Sequence, residues 1–352
     1  MSLIILPIGV ALAMGAPISD IAIRKRDIPI SAAFEATALG KGCASIPEPS
    51  AGIIGVQYYT DGRSSVEDRN LKRKNVDASA STLKVINYVG RLTARYKLSG
   101  GTDHASARCA FAAIYKWAAS DALRGPFNIQ GNGTRRWAVN ALAVDFVEIS
   151  RSSDLRPGQL GIVRDWFNRQ AYEIRRTIEY QNNHLYWAAA AVAAAAVASG
   201  NDDHFTWAIK AATTGLNEVT AQGALPRELR RGRRALYYHA FAIEPLVQIA
   251  ALARKRGIDL YKVNDHALVR LGDFIIEQDK DPVKINELSG SEQEWSGFTK
   301  DNLSWGEAFF SATGDCDVGV RLIPLRPLYK AYLGGNVTAL YGISIPCSVP
   351  KR

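Results

Sequence analysis

The four cysteines, Cys43, Cys109, Cys316 and Cys347, form no CxxC pair and show no other metal-ligand spacing, which leaves zinc and thioredoxin-like readings without support. No acidic or basic tail and no low-complexity block interrupts a composition of 47% hydrophobic and 22% charged residues, so the chain is expected to fold throughout. Alternating strands are scarce, the best being the short stretch 52–59, and this argues against a parallel α/β sheet. Nucleic-acid motifs and stripes of interleaved basic and aromatic residues are missing as well. The one apolar run that could suggest a membrane, at the N-terminus, is broken by Pro7 and falls short of the roughly 20 residues a spanning helix needs.

What is present begins with charge. Lys and Arg number 43 against 34 Asp and Glu, a formal net charge of +9, which concentrates polyanions, whether nucleic acid, anionic membrane or acidic glycan, near the surface. The opening MSLIILPIGVALAMGAPISD is uncharged and apolar and ends in small residues. It reads as a secretory signal over 1–15, cleaved after Ala13-Met14-Gly15, although it has no basic n-region. Export to a periplasm or the cell exterior makes two disulfides the expectation. Sequence order suggests Cys43 with Cys109 and Cys316 with Cys347, one of three possible pairings. Three N-x-S/T acceptors, at Asn132, Asn302 and Asn336, are compatible with export.

Helical periodicity runs from about residue 104 onward, through 104–123, 134–149, 159–180, 186–199, 203–218, 234–255 and 265–277. Short Gly-, Pro- and Asn-containing stretches separate these segments, such as Arg124-Gly125-Pro126 and Ser199-Gly200-Asn201-Asp202, which implies antiparallel neighbours. The fold class is all-α, with 16–352 forming one domain. Periodicity leaves a globin-like pack and a closed helical toroid equally open. Residues 57–81 are charged, poorly amphipathic and long for an idle connection, and are read as a lid or as a solvated helix start.

Two motifs carry the candidate chemistry. Asn182-Asn183-His184-Leu185-Tyr186-Trp187 stands directly before an Ala-rich run, which puts polar groups at a helix start where one asparagine caps and others can face a cavity. Glu228-Leu229-Arg230-Arg231-Gly232-Arg233-Arg234-Ala235-Leu236-Tyr237-Tyr238-His239 runs into a second apolar helix. If the latter stretch is helical throughout, Arg231 and Tyr238 lie seven residues apart and within about 20° on one face. Taken singly, each residue equally suits a structural role.

Together the two motifs resemble polysaccharide lyase family 5, the mannuronate-specific alginate lyases, with Arg231 and Tyr238 spaced 47 and 54 residues beyond His184 as in that family. The stretch 58–68, Tyr-Tyr-Thr-Asp-Gly-Arg-Ser-Ser-Val-Glu-Asp, resembles the lid of the wider superfamily more loosely. The resemblance spans roughly residues 45–340. It implies an incomplete α/α toroid with a central substrate tunnel, and it places Asn183, His184, Arg231 and Tyr238 at the catalytic positions. A lysine that some members supply from the lid has no secure counterpart among Arg63, Lys72, Arg73 and Lys74.

The implied reaction is β-elimination from a 4-linked uronate. It removes the proton on C5, beside a carboxylate, and expels O4. A guanidinium (Arg231) and a neutral amide donor (Asn183) suit the carboxylate, whose charge opposes carbanion formation. Tyr238 can act as base and acid when both groups lie on one face, as in mannuronate, with Arg231, Arg234 and His184 favouring its phenolate. His184 is the alternative base. Trp187, Tyr186, Tyr237, Arg234 and Arg63 are candidate substrate contacts, the aromatic ones equally suited to core packing. The chemistry calls for no cofactor and no metal; the expected partner is an anionic polysaccharide, met by a monomer with no nucleic acid or membrane involved. Rival readings are a lyase for poly-glucuronate or hyaluronan, a glycoside hydrolase drawing on Glu179, Asp202, Asp203 or Glu244, and a non-catalytic polyanion binder.

Overall fold

A computed structural model describes residues 39–178 and 180–347. The expected signal at 1–15 and Glu179 lie outside the described residues. The chain is built from helices, here numbered in order: α1 (Arg69–Ala78), α2 (Ala80–Leu98), α3 (His104–Ala119), α4 (Ile129–Ile149), α5 (Pro157–Arg175), α6 (Asn183–Ser199) and α7 (Asp202–Asn217). After a short turn α8 (Pro226–Leu229) come α9 (Ala235–Arg254), α10 (Ala267–Lys280), α11 (Val283–Ser289), α12 (Gly306–Thr313), α13 (Cys316–Leu322) and α14 (Val337–Tyr341). The described strands are β1 (Tyr329–Lys330) and β2 (Gly335–Asn336), an antiparallel pair two residues long. The stretch 52–59, the best strand of the sequence reading, forms only isolated bridges, Ile53 to Phe127 and Tyr59 to Glu67.

Helix α6 is the hub. It packs against α4, α5, α7 and α9, and the residues from Ala188 to Ala196 are fully buried. A helix that is apolar all round belongs in a core, and its alanines let four neighbours approach closely because no long side chain holds the axes apart. Asn182 caps the helix by accepting the backbone N–H of His184, and Gly200, in a left-handed conformation, ends it. Helix α9 is long and apolar enough to cross a membrane by composition, yet it is largely buried among the other helices. The buried apolar residues form one contiguous cluster from Ile53 to Val337. The antiparallel helices curve around a central cavity as an incomplete α/α toroid.

Both cysteine pairs suggested by sequence order are joined, Cys43 to Cys109 and Cys316 to Cys347. Helix α2 is an addition to the sequence reading, which began the helical pattern only at 104. Its apolar positions, among them Val85, Ile86 and Val89, are buried, and the charged stretch before it hides the start of the pattern. Residues 57–81 divide into a loop through Glu67 and the exposed, basic helix α1.

Gly215 of α7 sits against the ring of Tyr186, and a Cβ there would lie 2.4 Å from a ring carbon. Gly215→Val forces that fully buried tyrosine to shift. It is expected to destabilise the protein by about 1–3 kcal/mol through overpacking, read as a lower melting temperature in a thermal scan.

Candidate active site

A cavity of about 1300 Å³ opens among the N-terminus of α6, the segment entering α9, the loop 57–67 and the face of α4 carrying Gly133, Arg136 and Trp137. Because successive turns of α6 bring residues four apart to one side, Asn183 and Trp187 reach the cavity together with His184. Asn183 is buried. Its side-chain amide donates to Glu228 at 3.0 and 3.2 Å from the two carboxylate oxygens, and its backbone N–H donates to the same group at 2.9 Å. Glu228 is itself fully buried. Burial raises its pKa, opposed by the nearby Arg231 guanidinium and the Asn183 bonds.

The second motif does not form one continuous helix. Arg231 lies in a turn, Gly232 adopts φ of 54°, a short 3-10 turn spans Gly232–Arg234, and α9 starts only at Ala235. The glycine admits the left-handed residue that breaks the helix. Arg231 and Tyr238 nevertheless meet, the guanidinium carbon lying 4.3 Å from the centre of the phenol ring. Nε of Arg231 is 3.5 Å from Glu228, so one buried carboxylate braces both the amide from α6 and the cation from the turn.

Tyr238 is 7% exposed. Its hydroxyl donates to the Tyr59 oxygen at 2.6 Å. Arg231 and Arg234 favour the phenolate as expected, but burial outweighs them and pushes the pKa above the ordinary tyrosine value. His184 adds no charge to this balance. Burial, reinforced by the Arg136 and Arg231 cations, pulls its pKa down to about 3, so the ring is neutral at working pH. Its edge meets the ring of Tyr180 at 5.2 Å. The expectation that His184 helps ionise Tyr238 is thereby corrected: an imidazole between two guanidiniums in a low-dielectric wall gives up its proton.

Arg234 bonds to Glu67 and, at 3.0 Å, to the Tyr59 hydroxyl, while its guanidinium lies 4.5 Å from the ring of Tyr237. Tyr237 lines the cavity, parallel to Phe241. Trp187 also lines it, contacting Trp137, Tyr332 and Phe241 through its ring, while Trp137 and Tyr332 stack at 4.4 Å. Arg63 and Lys72 line it from the stretch 57–81, and the Arg63 carbonyl is 3.5 Å from Arg231 Nη1. Tyr186 is different. It is fully buried against Gly215 of α7 and is absent from the cavity wall, because neighbouring residues on a helix point about 100° apart. Packing, not sugar contact, is its place.

Sequence reasoning passed over Arg136, Trp137, Phe241, Tyr332 and the bracing Glu228. Trp137 and Phe241 sat inside helices whose pattern reads equally well as core, and Tyr332 lay far along the chain. Glu228 opened the second motif and was quoted without a role. Among the described residues Glu67 is the one acidic side chain lining the cavity. Asp202 and Asp203 stand at the start of α7, and Glu244 is buried against Lys330 at 3.0 Å. No cluster of three or more His, Cys, Asp or Glu among the described residues could hold a metal ion.

The wall therefore offers cations, a neutral imidazole, a phenol and an aromatic floor, a set suited to an anionic sugar chain. Comparison with known proteins agrees. A family model described as alginate lyase matches residues 32–285. An alginate lyase of Cobetia marina is 32% identical over 315 residues, covering 85% of this chain and 84% of the relative, and one of Pseudomonas fluorescens strain SBW25 is 31% identical over 326 residues, covering 88% and 86%. In fold the chain is similar to the crystal structure of alginate lyase A1-III from Sphingomonas species A1, with a TM-score of 0.74 and 21% identity over 89% of this chain and 95% of that one. A variant of A1-III complexed with a tetrasaccharide superposes with a TM-score of 0.76 at 20% identity, over 89% of this chain and 94% of that one. The chain belongs to the alginate lyase family, the polysaccharide lyases that act on alginate.

Proposed function

We propose that this lyase prefers mannuronate-rich alginate and that Asn183, His184, Arg231 and Tyr238 carry its β-elimination. The observation that supports this most is the convergence of Arg231 over Tyr238 in one cavity with Asn183 and His184. Arg231 and the Asn183 amide take the carboxylate of the bound uronate, which offsets the charge that builds on C5 as its proton leaves. The phenolate of Tyr238 takes the C5 proton. The electrons of that C–H bond form the C4=C5 double bond, the C4–O4 bond breaks, and the tyrosine returns the proton to O4. His184, neutral, contributes a hydrogen bond rather than a charge.

Trp187 and Tyr237, with Arg234 and Arg63 at the rim, are proposed contacts for the sugar chain. The loop and helix of 57–81 are proposed as a lid, the protein as a monomer in a single domain over 16–352, and its place as the periplasm or cell exterior, which the two disulfides support. The hydrolase alternative requires two carboxylates flanking the bond, and Glu67 stands alone in the described wall.

Separate incubation with poly-mannuronate, poly-guluronate, poly-glucuronate and hyaluronan, following absorbance of the unsaturated uronate, tests the reading. Poly-mannuronate is expected to react fastest. Faster turnover of poly-glucuronate or hyaluronan would overturn the preference, and cleavage without the chromophore would overturn the reaction.

A further inference from the structure

The loop that meets Tyr238 is a self-contained hairpin. The Asp61 carboxylate accepts the backbone N–H groups of Arg63, Ser65 and Val66 at 3.1, 2.7 and 2.8 Å. Backbone bonds from Thr60 to Val66 and from Asp68 to Tyr58, at 3.0 and 2.8 Å, close its stem. Tyr59 and Glu67 stand opposite each other across that stem, where paired side chains share one face. The Tyr59 hydroxyl donates to Glu67 Oε1 at 3.3 Å, Arg234 donates to that same oxygen, and Lys72 holds Oε2 at 2.7 Å.

We propose that Glu67 is a positioning residue for the elimination: its carboxylate holds Tyr59 against Tyr238 and commits Arg234 to the hairpin, leaving Arg231 as the cation that meets the uronate. The inference rests on the role given to Tyr238 above and adds to it a residue that acts through Tyr59 and Arg234. A carboxylate is an acceptor only, so it fixes which way the chain of hydroxyls runs: Tyr238 donates to Tyr59, and Tyr59 donates to Glu67. When Tyr238 ionises, the Tyr59 proton can turn to the new phenolate while Arg234 and Lys72 still satisfy Glu67, so no charge is left unpaired. Arg234, with its charge answered by Glu67, does not compete with Arg231 for the sugar carboxylate.

The groups that face the Tyr238 hydroxyl are Tyr58 and Tyr59 from the hairpin and Arg231 and Arg234 from the turn before α9, and the Tyr59 bond favours the phenolate. Glu67 draws the Tyr59 proton away from Tyr238 and holds Arg234. Its loss frees that proton and that cation for the phenolate, so ionisation of Tyr238 becomes easier and the rise of kcat with pH moves to lower pH.

Glu67→Gln, Glu67→Asp, Tyr59→Phe and the double variant Glu67→Gln/Tyr59→Phe separate this role from a structural one. Glu67→Gln is expected to lower kcat by up to about 100-fold through lost positioning of Tyr59 and Arg234, with KM changed less, the pH profile displaced downward and the melting temperature near that of the parent. Glu67→Asp is expected to recover part of the loss. Because both residues act through one contact, the double variant is expected to be no slower than the slower single. An unchanged kcat and pH profile in Glu67→Gln, or a double variant whose loss is the product of the two single losses, would overturn the inference. Absence of uronate products from the parent enzyme would instead overturn the function proposed for the site.

Discussion

Tyr238→Phe is expected to lower kcat by about 10³-fold or more, the range set by loss of a positioned proton carrier, while oligosaccharide binding stays measurable by calorimetry. The ring remains, so the cation over it at 4.3 Å and the packing of a side chain only 7% exposed are kept. What disappears is the hydroxyl and its bond to Tyr59, worth about 1 kcal/mol of stability, so the melting temperature moves little. The contrast between lost turnover and retained fold is the diagnostic. Retention of more than a tenth of the parent kcat would remove Tyr238 from the acid and base roles. The pH dependence carries a second check. Burial raises the Tyr238 pKa, and the base is the deprotonated form, so kcat rises with pH until the phenol in the complex is ionised. His184, held neutral with a pKa near 3 in the free protein, contributes no limb near neutrality. His184→Ala is expected to cost less than Tyr238→Phe and to leave the position of that rise almost unmoved.

The helical class was legible because long Ala-rich segments separated by Gly and Pro turns have few other ways to fold. The observed α3, α5, α6, α7, α9 and α10 begin within about three residues of their expected starts. Helix α4 starts five residues early, at Ile129 rather than 134, because Asn128 caps it by accepting the N–H of Gly131, and a cap of that kind lies outside an apolar pattern. The toroid was not legible in periodicity, since antiparallel hairpins with short links fit several packings; the two motifs supplied it through resemblance. Within the site, residues adjacent in sequence were easier to find than residues adjacent in space. Asn183 and His184 were visible at a helix start, and Arg231 with Tyr238 by spacing, although the geometric reason given for that spacing, a continuous helix, is replaced by a turn at Gly232. Tyr59 and Glu67 come from a hairpin about 170 residues earlier, and nothing local to them announces that they end against α9. The balance of burial and charge on Tyr238 depends on how many atoms surround it, a quantity that sequence spacing does not carry.

Arg231→Ala is expected to reduce kcat/KM by about 10²- to 10³-fold, the cost of removing one oriented donor from a developing anion, and to act on three groups at once. The uronate carboxylate loses its cation, so charge building on C5 meets an unanswered negative group. Tyr238 loses the neighbour that most favours its ionised form. Its pKa therefore rises further, and because the ionised form is the active one, the ascending limb of kcat moves to higher pH. Glu228, buried and already harder to ionise than an ordinary carboxyl, loses the cation 3.5 Å away. It is then driven toward its neutral form, and as a neutral acid it grips the Asn183 amide less well. Arg231→Lys separates these effects, since it keeps a charge and lacks the planar fork that can face a carboxylate and lie over a ring together. It is expected to restore part of the pH shift and little of kcat/KM. A lysine variant with parental kcat/KM would show that the site needs only a positive charge at this position, and the assignment of Arg231 to the uronate carboxylate through its fork would then fail.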